Sequence, residues 1–236
     1  MKIIATFLLS ISLLLLSHAA LSGSPADAGV KRIEVIGEDD WAITNPISLG
    51  TITCPGGQLA FDAVGMPYCA NSNTGRLHYR DAIFWGCVTA RNAVTDEIDP
   101  RMTGIAYYEI WGNWDAEFTG PVGGTWKIVP SKAIGPEYTC ERLGPFPEEQ
   151  VANASEYWLG TWNGKRSYQE FADIGFWVGE FRLVGKGYGG TLEGLHFKGE
   201  EVVPTYTPFP VPYEFLPPDL GLYDVAEGVL TGTITE

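Results

Sequence analysis

The sequence predicts an all-β protein: a single closed antiparallel β-barrel of about eight strands, with a proline-rich C-terminal extension. Between residues 30 and 198, short runs of alternating apolar and polar residues are broken repeatedly by Gly, Pro, Asn and Asp. Strand-like runs at this density are typical of barrels and sandwiches. Helical spacing is confined to "PEEQVANA", residues 147–154. One domain of this kind accommodates the length of the chain.

The N-terminal stretch "MKIIATFLLSISLLLLSHAA" has one lysine, then an uncharged run from Ile3 to Leu16, then small residues. This run is shorter than the ~18 to 20 apolar residues that cross a bilayer. The pattern predicts a signal peptide over residues 1–19 and a linker over 20–30, with an uncleaved anchor as the alternative. The mature protein is therefore expected to be secreted, extracellular or periplasmic, without stable membrane insertion.

The charge balance excludes one class of partner. The chain has 15 basic and 29 acidic residues, and removal of Lys2 with the leader leaves 14 against 29, a net charge of −15. Phosphate backbones bind basic surfaces, so nucleic acid is not an expected partner.

The four cysteines, Cys54, Cys69, Cys87 and Cys140, all follow the leader, and an even number in an exported chain predicts two disulfides. Three pairings are possible. We favour Cys54 with Cys69, because the intervening "CPGGQLAFDAVGMPYC" has turn residues at both ends, and this choice leaves Cys87 with Cys140. Neither a C-x-x-C motif nor clustered histidines accompany them, so no metal and no cofactor is predicted.

The segment "GIAYYEIWGNWDAEF", residues 104–118, separates an apolar face from a mixed face by period two. The mixed face contains Tyr107, Glu109, Trp111 and Asn113. If it lines the barrel, Glu109 loses water, its pKa rises and it becomes a candidate general acid or base, with the other three as ligand-binding residues. If the face points outward, Glu109 is solvated.

In "FWVGEFRLVGKGYGG", residues 176–190, large residues give way to glycine along one side. This pattern indicates a sharply curved barrel wall in which backbones approach closely, and a glycine-rich loop is the alternative. On the same segment, Glu180 and Arg182 are a candidate inward ion pair for a polar ligand group, or an exposed pair. Glu193, in the next glycine-rich stretch, is a second catalytic candidate.

After the linker, the chain divides into a barrel domain of residues 31–203 and a C-terminal segment of residues 204–236. Its beginning, "PTYTPFPVPYEFLPPDLG", is too rich in proline for an interior strand, so we expect it to wrap over the barrel surface. Near the end, "EGVLTGTITE" is a possible closing strand. Separately, Asn153-Ala154-Ser155 is an N-glycosylation acceptor triplet.

The motifs "DPRMTG" (99–104), "GGTWKIV" (123–129), "WLGTWNGKRS" (158–167) and "GKGYGGTLEGLHFKGEE" (185–201) resemble those of uncharacterised secreted proteins related to the allene oxide cyclase-like and dirigent-like barrels. The resemblance implies an eight-stranded antiparallel barrel with a largely apolar lumen. It also implies binding, or cyclisation, of hydrophobic small molecules. The catalytic residues of the cyclases have no match in these motifs.

Two functions are expected from these patterns. The first is a secreted barrel that binds, or cyclises or isomerises, a small hydrophobic molecule in its lumen; whether it is an enzyme stays open. The alternative is an extracellular carbohydrate-binding or interaction module that uses exposed aromatics, since eight tryptophans are many for this length. A structural protein stabilised by disulfides, without a ligand, is a third possibility.

Overall fold

A computed structural model describes residues 33–40, 46–62, 67–134, 147–171, 174–205 and 227–236. Its strands are β1 (Ile33–Asp40), β2 (Pro46–Thr53), β3 (Gln58–Phe61), β4 (Pro67–Ala70), β5 (Leu77–Asn92), β6 (Gly104–Trp114), β7 (Gly120–Pro130), β8 (Tyr157–Phe171), β9 (Ile174–Tyr188), β10 (His196–Thr205) and β11 (Glu227–Thr235). Two short helices, α1 (Ser131–Ile134) and α2 (Glu148–Ala152), lie between β7 and β8. The prediction of an all-β protein is confirmed.

Nine of these strands form one antiparallel sheet in the order β1-β11-β10-β9-β8-β7-β6-β5-β2. β1 pairs with β11 along one edge and also with β5 along the other. From β5 to β11, strands that are consecutive in the chain are neighbours in the antiparallel sheet. The "EGVLTGTITE" segment forms β11.

β3 and β4 form a separate hairpin, and a disulfide holds it to the end of β2. Cys54 and Cys69 are bonded, with their Cα atoms 5.4 Å apart, so the predicted pairing is confirmed. Cys87 is also disulfide-bonded, whereas Cys140, its predicted partner, lies outside the described residues.

The core lies on one face of the sheet, which we call the core face. On β6 every second residue from Gly104 to Trp114 is buried. The neighbouring strands contribute alternate residues in the same way, and the largest fully buried side chains include Trp126, Trp158, Tyr108 and Phe84. Burial of each such side chain stabilises the fold by about 1.5–3 kcal/mol relative to leaving it exposed.

Glycines on the core face make room for these aromatic rings. Trp126 is register-paired with Gly160, and Gly160 with Gly185. A Cβ added at Gly160 or Gly185 would come within 2.6 or 2.3 Å of the Trp126 indole. Phe197 lies equally close to the neighbouring Gly199 and Gly232. On the core face each large ring lies beside glycines and occupies the space that their side chains would need. This close packing explains why glycine occurs inside these strands.

The stretch "GKGYGG" is part strand and part turn. β9 continues to Tyr188, after which Gly189 and Gly190 adopt positive φ angles of 72° and 47°. A single 3-10 turn over Gly190–Leu192 leads to β10 at His196. The segment is therefore a strand up to Tyr188, and the alternative of a glycine-rich loop describes the connection from there to β10.

A smaller hydrophobic cluster lies on the opposite, solvent face of β5–β7. Trp85, Ile105 and Val129 pack there under Val151 of α2. Lys127 donates a hydrogen bond of 2.9 Å from Nζ to the Val151 carbonyl, and its ammonium lies over the Tyr157 ring. These contacts place α2 on the sheet, since a five-residue helix has little stability by itself.

The predicted signal peptide (1–19) and linker (20–30) lie outside the described residues, as does the proline-rich segment from 206 to 226. Among the helices that the structure describes, none is long and apolar enough to cross a membrane.

Candidate functional site

The mixed face of β6 points to solvent. Tyr108, Ile110 and Trp114 occupy the core face, whereas Glu109 and Trp111 are exposed. The idea that Glu109 is a desolvated acid in the interior is therefore wrong, and the outward alternative is the one observed. The physical reason is composition: the other face buries more apolar volume and no carboxylate.

The outward-facing β6 residues nevertheless make specific contacts with their neighbours. Arg80 donates from its guanidinium to the Gly112 carbonyl at 2.7 Å and to Asn113 Oδ1 at 2.9 Å, and it lies 6.0 Å from the Trp111 ring centroid. Thr125 Oγ1 donates to Glu109 Oε2 at 2.8 Å. We call this surface, composed of Arg80, Glu109, Trp111, Asn113 and Thr125, the Trp111 face.

Tyr107 continues the Trp111 face toward α2. Partial burial, together with the negative charge of Glu109, raises the pKa of its phenol. The sequence therefore identified four residues that share one face of β6, although that face is outside the core.

The candidate pair on β9 is not an inward pair. Glu180 and Arg182 are both exposed, and Arg182 Nε lies 3.6 Å from Glu200 Oε1 on β10 instead. Exposed pairs of this kind contribute little stability. Arg182 is in register with Trp111 but three strands away, which is about 14 Å. The pair on β9 and the mixed face of β6 therefore do not form one site.

Glu193 has a local structural role. Its side chain is exposed, and Oε2 accepts a hydrogen bond of 2.8 Å from the Gly189 backbone N–H across the turn between β9 and β10. Asn153 and Ser155 are also exposed, just after α2, so the acceptor triplet is accessible on the surface.

The most unusual polar residue of the core face is one that the sequence pattern did not single out. Arg166 follows Trp162 and Gly164 at every second position of β8 and is 9% exposed. Its guanidinium carbon lies 5.3 Å from the Trp114 ring centroid and 5.5 Å from that of Trp177. Burial lowers its pKa to about 9, so the side chain keeps its positive charge at neutral pH.

Two further polar side chains lie on the core face. Tyr79 is buried, and this burial raises the pKa of its phenol above the usual range although the positive charge of Arg166 opposes the shift. Glu201 of β10 is 1% exposed. Buried polar groups of this kind are expensive unless they are satisfied, so they mark positions with a specific role.

The turn between β6 and β7 lies next to Arg166, whose register partner is Gly120 at the start of β7. Asp115 Oδ1 accepts hydrogen bonds of 3.0 Å from the backbone N–H groups of Glu117 and Thr119. Between them Phe118 has a φ of 58°, a conformation that costs a non-glycine residue about 1–3 kcal/mol. This turn presents the buried Phe118 ring edge-on to Trp177, with 6.4 Å between the centroids.

Trp177 is held from the same turn. Its Nε1 donates a hydrogen bond of 2.8 Å to the Glu117 carbonyl. The Tyr168 ring packs against Trp177, with 5.2 Å between the ring centroids. We call Tyr79, Trp114, Phe118, Arg166 and Trp177 the arginine end of the core face.

The core is fully packed around Trp126 and Trp158, away from this end. Trp126 and Trp158 are 0% exposed, so no space that admits a water molecule borders them. Toward the arginine end, Phe118, Phe181 and Arg166 keep 6%, 7% and 9% exposure. The buried guanidinium therefore lies near residues that retain slight contact with solvent.

Across the described ranges, no group of three or more His, Cys, Asp or Glu side chains is arranged to hold a metal ion. No protein-family model, curated protein or solved structure matches the chain.

Proposed function

We propose that the sheet closes into an eight-stranded barrel and that the protein binds a small, mostly apolar acid at the arginine end of its interior. Closure is supported by β1, which pairs with both β5 and β11. Starting at Ala82 of β5, each residue can be followed to its register partner on the next strand. After one circuit of the sheet this path returns to β5 at Asn92, ten residues beyond Ala82. For eight strands, this shift in register corresponds to a strand tilt of about 40° from the barrel axis, within the range of closed barrels.

The observation that carries the binding proposal is the position of Arg166 between two indoles. A guanidinium has five N–H donors in a planar arrangement that matches a carboxylate. Hydrogen bonds to charged groups are stronger in a poorly solvated site. Trp114, Trp177 and Phe118 provide apolar surface around that donor group, so an aromatic or aliphatic acid has partners for both of its parts.

Export is part of the proposal. The N-terminal stretch has the pattern of a signal peptide, and the Cys54–Cys69 disulfide is of the kind that persists in an oxidising compartment. The resemblance to allene oxide cyclase-like barrels is likewise kept as a proposal, and it agrees with a hydrophobic small molecule as ligand. The activity proposed here is binding.

The proposal is tested by calorimetric titration with two matched probes, naphthalene-2-carboxylate and 2-naphthalenemethanol. We expect the wild-type protein to bind the carboxylate more tightly than the alcohol. In Arg166→Gln this ratio of affinities should fall about tenfold or more, while the affinity for the alcohol stays the same. Arg182→Gln is the control, because it removes an exposed arginine from the solvent face.

Equal affinity for the two probes, or an undiminished preference in Arg166→Gln, would refute the proposal. If Arg166→Gln does not fold, Arg166→Lys is substituted, because it keeps the charge and loses the planar donor pair. Near-ultraviolet circular dichroism, which reports on the packed indoles, checks that each variant is native. Native mass spectrometry of the secreted protein would identify an acid that co-purifies.

A further inference from the structure

We propose that the Trp111 face is a second binding site and that its ligand is a neutral carbohydrate. This site is on the solvent side of β6, whereas Arg166 belongs to the core face, so the inference does not depend on the small-molecule proposal. It rests on one exposed indole and on the polar groups fixed beside it.

Trp111 is 37% exposed and lies against the neighbouring strand β7. Its register partner there is Gly123, where an added Cβ would come within 2.8 Å of the indole. Any larger residue at 123 would push the ring off the sheet. The ring thus rests on bare backbone, with the Arg80 guanidinium carbon 6.0 Å from its centroid, and keeps part of its surface exposed to solvent. A planar aromatic surface of this kind is suited to the apolar C–H face of a pyranose ring.

Polar groups stand on both sides of that surface. Glu109 and Asn113 are each two residues from Trp111 on the same side of β6, about 7 Å away along the strand. A pyranose stacked on the indole would direct hydroxyl groups toward both. Arg80 can only donate, so the Asn113 atom that it contacts is the carbonyl oxygen, and the Asn113 NH₂ is left as a donor. Glu109 provides the acceptor.

These groups are held in place before any ligand arrives. Arg80 is fixed by the Gly112 carbonyl and by Asn113, and Glu109 by Thr125. Side chains that are already ordered lose less conformational entropy on binding. A surface that contacts only water would not require these hydrogen bonds.

The charges of this face select the class of carbohydrate. Arg80 and Glu109 offset each other, and the protein as a whole is acidic, with a net charge of −14. A polyanion such as a uronate polymer would be repelled by this net negative charge. Neutral sugars satisfy the donor and the acceptor without any charge.

The test is electrophoresis of the purified, full-length secreted protein in native gels that contain one soluble polysaccharide each. The neutral probes are hydroxyethyl cellulose, arabinoxylan, galactomannan and glycol chitin, and polygalacturonate is the anionic probe. We expect at least one neutral polymer to retard the wild-type protein. Trp111→Ala should weaken that retardation about tenfold or more, and Trp111→Tyr should retain part of it.

Leu159→Ala is the matched control, since Leu159 is an exposed apolar residue of the solvent face outside the Trp111 face. Arg166→Gln should leave retardation unchanged, which separates this site from the one in the core. Three results would overturn the inference: no retardation by any neutral polymer, equal retardation of Trp111→Ala and wild type, or retardation by polygalacturonate alone.

Discussion

Gly185→Ala is the most direct test of how this core is packed. The new methyl group would lie 2.3 Å from the Trp126 ring, and Trp126 is fully buried, so the ring has no free space into which it can move. Replacing glycine where the backbone allows it stabilises a protein by about 0.4–1 kcal/mol through the unfolded chain. Overpacking costs about 1–3 kcal/mol, and this contact belongs to the upper part of that range. The net expectation is a loss of about 2 kcal/mol.

The free energy of unfolding is measured by urea titration followed by circular dichroism, with the disulfides intact. For a chain of this size the loss corresponds to a decrease in Tm of about 4–8 °C. Trp126→Phe, which shortens the ring, completes a double-mutant cycle with Gly185→Ala. The added methyl should cost less in the Trp126→Phe background. A neutral or stabilising Gly185→Ala, or additive effects in the cycle, would refute the explanation that the ring requires the glycine.

Three further predictions concern other parts of the fold. Although burial opposes the shift, hydrogen bonds from the Arg101 side chain and backbone lower the pKa of the Asp99 carboxyl. As pH falls, the carboxyl of the unfolded state is protonated before that of the folded state. The stability from this pair is therefore complete above the unfolded pKa and is lost as pH falls through the lower folded pKa. Asp99→Asn should therefore flatten the acid side of a pH–stability curve. Replacing Cys54 and Cys69 together by serine should cost up to about 3 kcal/mol, because their separation of 15 residues defines the entropy of the loop. Gly187→Val should reduce the yield of folded protein, since its Cβ would lie 2.3 Å from the Leu192 carbonyl.

Each of these has an outcome that would contradict it. An unchanged pH dependence in Asp99→Asn would mean that the Arg101 contact does not stabilise the ionised carboxyl. A double serine variant as stable as wild type would show that the β3–β4 hairpin needs no covalent link. A normal yield of folded Gly187→Val would mean that the turn after β9 can move away from the strand.

The sequence by itself determined the class of fold and the location of some strands, among them β6, β9 and β11. Period-two alternation is a local property of an extended backbone, so it is visible in any segment such as residues 104–118. The Cys54–Cys69 link was likewise predictable, because both cysteines flank a short segment that begins and ends in turn residues. These features depend on neighbours in the chain.

Tertiary structure decided which face of each strand is buried and which residues meet. Period two divides β6 into two faces and does not say which one is the core, since both contain aromatic residues. Arg166 lies two positions beyond Gly164 on the side of Trp158 and Trp162, so period two alone groups it with the core. Its charge argues for the surface, and only contacts with Trp114 and Trp177, more than ten residues away in either direction, explain its burial. Such contacts depend on the pairing of distant strands, which no local pattern contains.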